Sequence, residues 1–277
     1  MKSKKHKYPW QVYLEHPLKR QPFCGGSLIT NQHVITAAHC LYAAFGHTDS
    51  VPDYLSEPEY QLKEFIYKYP SFIRVSLGDQ NWNDTEFKFV TVSKFLIHPK
   101  FTSIIAPFFL LYDVAILTLS EKIEFSNKVS PICLPSSDGD YAGEIATITG
   151  WGMVDVPFDE DKHQLVTNDS IGSQTFTFPK GYLPVELQVA NSRIISNEEC
   201  LDNWGKNNGP AYIPQVRNIT DVDMCSMAPP AASCPGDSGG PVFITESARF
   251  VSNKIMMIGD LRKGLLFLKV ENFFLGF

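Results

Sequence analysis

Short runs rich in β-branched and aromatic residues recur along this chain and constrain its fold more than any other feature. Examples are FIRVSLG, FKFVTVSKFLI, VAILTL, IATITGWG and GGPVFI. The 18 glycines and 19 prolines are spread along the chain and supply turn signals between such runs. Runs of this length and composition predict strands, and no long stretch keeps a helical apolar period. The sequence therefore predicts an all-β sandwich or barrel.

The bulk composition suits a packed protein and argues against two classes of partner. Of 277 residues, 44% are hydrophobic and 19% charged, which excludes general disorder. The net charge of -6 does not suit a nucleic-acid-binding surface, and the basic residues of MKSKKHK are too few to make a binding face. The apolar runs at 265–268 and 273–275 are too short to span a bilayer, so we expect no membrane contact.

Cysteine usage indicates an oxidising compartment. No cysteine pair has the C-x-x-C spacing of a structural zinc site, and an even number in a β-rich chain favours disulfides. Three N-x-S/T sequons also fit a secreted protein. The N-terminus shows no apolar signal segment, so secretion implies that a signal has been removed or that the chain is partial. The six cysteines are Cys24, Cys40, Cys133, Cys200, Cys225 and Cys234.

A serine flanked by glycines occurs in Gly-Asp-Ser-Gly-Gly-Pro, residues 236–241. A serine hydroxyl is a poor nucleophile until a base removes its proton, and acyl transfer also needs donors aimed at the developing oxyanion. Glycines on both sides let the backbone bend tightly, so that amides near Ser238 can point to one spot. Taken alone, the segment could equally be an ordinary Gly-Pro turn.

A histidine is followed directly by a cysteine in Thr-Ala-Ala-His-Cys, residues 36–40. A disulfide from Cys40 would hold His39 rigidly, and Cys24 is the natural partner across a hairpin of two strands. A lone histidine is otherwise a satisfied core or surface residue. The small alanines before it indicate close packing against another part of the chain.

An aspartate opens the apolar run Asp-Val-Ala-Ile-Leu, residues 113–117. Burying the Asp113 carboxylate is costly unless it is hydrogen-bonded. A histidine N–H is the kind of partner that such a carboxylate would orient. Taken alone, the segment could also carry an ordinary aspartate that faces water at the start of a strand.

Seven motifs in one order resemble the chymotrypsin/trypsin-like serine peptidase family over roughly residues 8–244. The resemblance implies two packed six-stranded antiparallel β-barrels with an active site between them. A single peptidase domain would occupy residues 1–277, with the first barrel at 8–130 and the second, atypical in its C-terminal part, at 131–277. The motifs are Pro9-Trp10-Gln11-Val12, Cys24-Gly25-Gly26-Ser27-Leu28-Ile29, Thr36-Ala37-Ala38-His39-Cys40, Asp113-Val114-Ala115-Ile116-Leu117, Pro131-Ile132-Cys133-Leu134-Pro135, Gly150-Trp151-Gly152 and Gly236-Asp237-Ser238-Gly239-Gly240-Pro241.

The resemblance also implies a role for each site residue. Ser238 would be the nucleophile, His39 the general base and acid, and Asp113 the group that orients the imidazole. The backbone N–H groups of Gly236 and Ser238 would form the oxyanion hole. Substrates would be proteins or peptides, and the chemistry needs neither an organic cofactor nor a metal.

By the same resemblance, Cys24 pairs with Cys40 and Cys200 with Cys225. Cys133 matches a cysteine that many relatives tie to a propeptide or light chain. A calcium site is also conceivable, since Asp79, Asn81 and Glu86 lie where some relatives bind this ion. The later acidic ligand is not evident, so we expect no metal.

Substrate preference depends on Ala232, which stands where trypsin-like relatives carry an aspartate at the floor of the specificity pocket. Without that carboxylate, a buried substrate Lys or Arg would lack its counter-charge. We therefore expect a preference for apolar over basic side chains at the cleavage site.

Both ends depart from the family pattern. In relatives a freed amino terminus pairs with the aspartate before the nucleophile, here Asp237, and this chain shows no equivalent insertion residue. Beyond about Gly259 the resemblance stops. We expect a partial or alternatively spliced product. The alternative function is therefore a catalytically silent homologue that acts as a binding or regulatory protein.

Overall fold

The computed structural model describes sixteen segments of the chain. They are 1–15, 21–41, 68–78, 80–84, 89–103, 110–134, 141–154, 158–159, 164–165, 168–171, 174–177, 182–205, 223–227, 233–244, 249–254 and 265–269.

Strands dominate these segments. In chain order they are β1 Gln11–Glu15, β2 Pro22–Leu28, β3 His33–Thr36, β4 Arg74–Leu77, β5 Phe89–Ile97, β6 Thr102–Ser103, β7 Leu110–Leu111, β8 Ala115–Leu119, β9 Ile145–Gly150, β10 Phe158–Asp159, β11 Gln164–Leu165, β12 Asn168–Ile171, β13 Gln174–Thr177, β14 Gln188–Ile195, β15 Asp223–Met227, β16 Pro241–Ile244, β17 Arg249–Lys254 and β18 Leu265–Lys269. A 3-10 helix covers Pro70–Phe72, and the α-helix α1 covers Asn197–Gly205. No helix among the described residues is long and apolar enough to cross a membrane.

Twelve of these strands close into two antiparallel barrels. The first has the order β1-β2-β3-β8-β5-β4, and the second has the order β14-β15-β18-β17-β16-β9. The remaining strands form short two-stranded hairpins, β6-β7, β10-β11 and β12-β13. The predicted all-β fold with two six-stranded barrels is confirmed. Closure leaves neither barrel with an open edge along its ring of strands.

Strand β8 illustrates why these sequences form barrel walls. Its residues alternate between the barrel interior and a half-buried outer face, as a period of two residues requires. Ala115, Leu117 and Leu119 are fully buried, whereas Ile116 and Thr118 are only partly covered. The strand pairs with β3 on one side and β5 on the other. This central position places the residues just before Ala115 beside the end of β3.

Aromatic packing joins the two barrels. Phe243 on β16 meets the ring of Trp10 edge-on at a centroid distance of 5.2 Å, and Tyr13 on β1 meets Trp151 in the same way at 5.2 Å. Each pair links the first barrel to the second. Edge-to-face pairs of this kind add to the free energy gained by burying the rings. The buried cluster at this interface comprises Tyr8, Tyr13, Ile35, Val114, Ile132, Trp151, Leu187 and Phe243.

The basic N-terminal segment is packed against the second barrel. Ser3 N donates to the carbonyl of Leu187 at 2.8 Å, and Val189 N donates to the carbonyl of Met1 at 2.7 Å. The Lys2 ammonium contacts the Glu186 carboxylate at 2.5 Å, although both side chains are largely exposed. The segment therefore runs beside the start of β14. Backbone hydrogen bonds, more than this exposed ion pair, hold it there.

The barrel interface yields a stability prediction. We expect Phe243→Ala to lower the free energy of unfolding by about 3–5 kcal/mol, because it removes a fully buried ring and leaves a cavity between the barrels. Urea denaturation followed by tryptophan fluorescence measures the change. The matched control is Phe125→Ala, since Phe125 is 52% exposed and its truncation should change the free energy by less than about 0.5 kcal/mol. Equal effects of the two substitutions would contradict the assignment of Phe243 to the interface.

Candidate active site

His39 and Asp113 form a closely bonded pair at the edge of the first barrel. His39 lies in a helical turn just after β3, and Asp113 lies two residues before β8. The backbone N–H of His39 donates to Asp113 Oδ1 at 2.7 Å, and His39 Nδ1 lies 2.5 Å from Oδ2. The Asp113 side chain is fully buried, so its charge depends on these partners. The contact with a carboxylate assigns the ring proton to Nδ1 and leaves Nε2 as an acceptor.

The pairing raises the pKa of His39 above its ordinary value. Burial of the imidazole acts to lower this pKa, because desolvation disfavours the charged ring. The negative charge of Asp113 and its hydrogen bond to the ring act in the opposite direction and outweigh burial. Asp113 therefore stabilises the protonated imidazole, which is the state that a general base enters after it accepts a proton.

A disulfide and a backbone hydrogen bond bring Ser238 against the segment that carries His39. Cys24 on β2 is bonded to Cys40, the neighbour of His39. The carbonyl of Ser238 accepts a hydrogen bond from Gly25 N at 2.7 Å and lies 3.7 Å from Cys40 Sγ. Only a glycine fits at position 25, because a β-carbon there would lie 2.8 Å from the Gly240 backbone. The second barrel thus touches the first through backbone atoms on either side of the disulfide.

The structure does not join all three predicted triad side chains by hydrogen bonds. Within the described residues, none links the hydroxyl of Ser238 to the imidazole of His39. His39 Nε2 lies instead 3.8 Å from Cys40 Sγ. Catalytic hydrogen bonds are often long or misaligned in proteins without substrate and tighten when substrate binds. Asp113 and His39 are therefore paired, whereas Ser238 is adjacent to the segment that holds them.

The loop around Ser238 depends on two glycines with positive φ. Gly236 has a φ of +96° and Gly239 a φ of +77°, and both lie in the region that side chains rarely adopt. A β-carbon at Gly239 would collide with the Thr36 hydroxyl, which makes the close approach to the first barrel specific for glycine. Neither Gly236 N nor Ser238 N donates a hydrogen bond to another described residue. Both amides remain available to an external acceptor.

Asp237 fixes the other side of this loop. Its buried carboxylate accepts hydrogen bonds from Gly152 N at 2.9 Å and from Cys234 N at 3.0 Å. The terminal ammonium of Met1 donates elsewhere, to the carbonyl of Val189 at 3.2 Å. One backbone amide after β9 and one just before Asp237 therefore supply partners for the carboxylate that the resemblance assigns to an activation pocket.

The other predicted residues fall in three groups. A second disulfide joins Cys200 on α1 to Cys225 on β15. Cys133 is exposed and outside both disulfides. Ala232, the predicted pocket residue, lies outside the described residues, as do Asp79 and Glu86 of the conceivable calcium site.

The sequence reading missed several backbone contributions to the site. Gly25 and Gly152 each bring an amide to the Ser238 loop, and the only sequence signal was their place inside recognisable motifs. It also missed Tyr112, the residue before Asp113, which has a φ of +52°. No sequence signal marks a bulky residue with a positive φ, because the backbone preferences of bulky residues argue against that conformation.

The chain belongs to the trypsin family, whose model matches residues 1–177 and 159–251. By family it is a serine endopeptidase. Three of its relatives share 26% to 29% sequence identity with it.

Hypodermin-B of Hypoderma lineatum is 29% identical over 87% of this chain and 70% of its own length. Serine proteinase stubble of Drosophila melanogaster is 28% identical over 85% of this chain and 24% of its own length. Mannan-binding lectin serine protease 1 of Mus musculus is 26% identical over 89% of this chain and 29% of its own length. The chain thus spans less than a third of the latter two relatives.

A solved structure supports the fold. Neuropsin, a serine protease expressed in the limbic system of mouse brain, superposes with a TM-score of 0.65 at 20% identity. The match covers 97% of this chain and 92% of neuropsin. At this identity the likeness shows the two-barrel architecture alone.

The His39–Asp113 pair gives a prediction that needs no substrate. In NMR titrations we expect the His39 imidazole to titrate with a midpoint above the ordinary value of 6.5. Asp113→Asn should move the midpoint to lower pH, because burial of the ring remains while the neighbouring negative charge is lost. Near-UV circular dichroism serves as the control for an unchanged fold. The same midpoint in both proteins would contradict the charge coupling.

Proposed function

We propose that this chain hydrolyses peptide bonds in proteins or peptides through a Ser238, His39 and Asp113 triad and an acyl-enzyme intermediate. The single observation that carries the proposal is the fully buried Asp113 carboxylate, bonded to both the backbone N–H and the ring of His39. This arrangement orients an imidazole with its second nitrogen free to act as a base. The carbonyl of Ser238 lies 3.7 Å from Sγ of Cys40, the neighbour of His39 in the chain.

The reaction begins when Ser238 Oγ attacks the carbonyl carbon and its proton passes to His39 Nε2. The C–O bond formed gives a tetrahedral oxyanion, which accepts hydrogen bonds from the amides of Gly236 and Ser238. The C–N bond then breaks, and His39 gives its proton to the leaving amine. Water repeats the sequence on the acyl ester and restores the free hydroxyl. Losing one oxyanion donor in such a site costs roughly 2.7–4 kcal/mol.

Two features of the described residues support these roles. The amides of Gly236 and Ser238 have no acceptor among those residues, so an incoming oxyanion would not have to displace one. The raised pKa of His39 means that Asp113 favours the imidazolium formed in the first step. For catalysis, a rotation of the His39 ring or of the Ser238 side chain would have to replace the present contact with Cys40 by a hydrogen bond between Nε2 and Oγ.

We also propose that the protein is secreted and that Cys133 bonds to a propeptide or light chain. Both barrels contain a disulfide, which suits an oxidising compartment. The exposed thiol of Cys133 is accessible to another polypeptide segment. Mass spectrometry of the non-reduced protein from the secretory route would identify a mixed disulfide at this residue.

A second candidate is a silent homologue that binds a partner or regulates a cascade. It is favoured by the missing hydrogen bond between Ser238 and His39 within the described residues. The silent homologue predicts the same fold and the same His39–Asp113 pair. It differs only in the reactivity of Ser238, so a chemical probe of that hydroxyl separates the two.

Active-site labelling tests the nucleophile. We expect a fluorophosphonate probe to label the parent chain and to leave Ser238→Ala unlabelled, because the hydroxyl attacks phosphorus as it would a carbonyl. The labelling rate should rise with pH through the pKa of His39, since only the neutral ring accepts the proton. Asp113→Asn should slow labelling by up to about 10⁴-fold, the loss typical of triads with the aspartate replaced. Equal labelling of parent and Ser238→Ala would refute the assignment, and a folded but unlabelled parent would favour the silent homologue.

Cleavage of a peptide panel tests the pocket. We expect kcat/KM to be higher for peptides with Phe, Leu or Tyr before the scissile bond than for those with Arg or Lys, because Ala232 offers no counter-charge. Ala232→Asp is the informative variant and should raise relative cleavage after Arg and Lys. Efficient cleavage after Arg by the parent chain would overturn this preference.

A further inference from the structure

Tyr112 has an unusual backbone conformation directly before the buried Asp113. Its φ of +52° lies in the left-handed region, where a bulky side chain is strained. Residues held there persist only when surrounding contacts fix them. The carbonyl of Tyr112 accepts a hydrogen bond from Val114 N at 2.8 Å, which closes a tight turn with Asp113 at its centre. The conformation of this turn sets the direction in which the Asp113 side chain leaves the backbone.

Among the described residues, His98 contacts this turn in two ways. The rings of His98 and Tyr112 are stacked, with centroids 4.8 Å apart and planes only 6° from parallel. The backbone N–H of His98 also donates to the carbonyl of Val114 at 3.1 Å. His98 therefore contacts the residues on both sides of Asp113.

The imidazole of His98 is itself fixed. It is buried at 2% exposure, and its Nδ1 accepts a hydrogen bond from the backbone N–H of Lys100 at 3.1 Å. The Lys100 ammonium lies 5.5 Å from the centroid of the Tyr112 ring, a position that adds a cation–π attraction. His98 and Lys100 thus hold the Tyr112 ring in place. Without these contacts, the backbone of Tyr112 would relax to a negative φ.

We propose that Tyr112 is a positioning residue whose ring, stacked on His98, holds the left-handed turn that directs the Asp113 carboxylate at the backbone N–H and imidazole of His39. The proposal rests on the proposed function, because it assigns Tyr112 a part in the same triad. Tyr112 acts through Asp113 and touches neither the nucleophile nor the substrate. It controls the two close contacts of the Asp113 carboxylate, at 2.7 Å to His39 N and at 2.5 Å to His39 Nδ1.

Three substitutions of Tyr112 separate the ring from the backbone. Tyr112→Phe keeps the stack and should retain kcat/KM within about twofold. Tyr112→Ala removes the stack and leaves a residue that disfavours positive φ, so kcat/KM should fall by about ten- to a hundredfold with little change in KM. Tyr112→Asn also removes the ring, but asparagine adopts the left-handed region more readily, so it should recover most of the loss.

A double-mutant cycle tests the partner. His98→Ala should reduce kcat/KM to a similar extent as Tyr112→Ala. The combined variant should lose little more than either alone, because both remove the same stacked contact. Fully multiplicative losses would show that the two rings act independently and would overturn the proposal.

An NMR readout separates this proposal from the proposed function. In a Ser238→Ala background, the low-field proton on His39 Nδ1 reports the bond to Asp113 whether or not the enzyme turns over. We expect Tyr112→Ala to shift this resonance upfield and broaden it, whereas Tyr112→Phe leaves it unchanged. An inactive parent chain would defeat the proposed function alone, while an unchanged resonance in Tyr112→Ala would defeat the role of Tyr112. Should Tyr112→Ala fail to fold, the same readout is taken from His98→Ala, and an unchanged resonance in that variant would count against the role.

Discussion

The buried carboxylate of Asp113 is the constraint around which the site is organised. A fully buried negative charge is tolerated only with close hydrogen-bond donors, and the backbone N–H and ring of His39 supply them. This requirement ties the turn before β8 to the turn after β3. The Cys24–Cys40 disulfide then fixes that second turn to β2, so the backbone that carries the imidazole is held by both contacts.

The two barrels contribute different halves of the site, so their relative position must be fixed. The first barrel carries His39 and its carboxylate partner Asp113, and the second carries Ser238. Aromatic pairs between β1 and the β9 and β16 region set the large-scale packing, while the Gly25 to Ser238 hydrogen bond sets the local distance. Small glycines at the contact let backbones approach more closely than any side chain would permit. Bulky residues provide the free energy of association, and glycines provide the fit.

Side-chain chemistry was readable from the sequence, whereas backbone geometry was not. The β-branched runs predicted strands, and the motifs around His39, Asp113 and Ser238 marked the candidate residues because each needs a particular functional group. The amides of Gly25 and Gly152 were missed, since every residue except proline has a backbone N–H and only the fold decides which one points at Ser238 or Asp237. Tyr112 was missed for a related reason: its positive φ is imposed by stacking on His98, a contact between residues distant in sequence.

The backbone hydrogen bond between Gly25 and Ser238 has a consequence for how the two barrels can move. A hinge motion that swung the barrels apart would have to break this 2.7 Å bond and carry Ser238 away from His39 at the same time. Opening the barrel interface and dismantling the site are therefore one and the same motion.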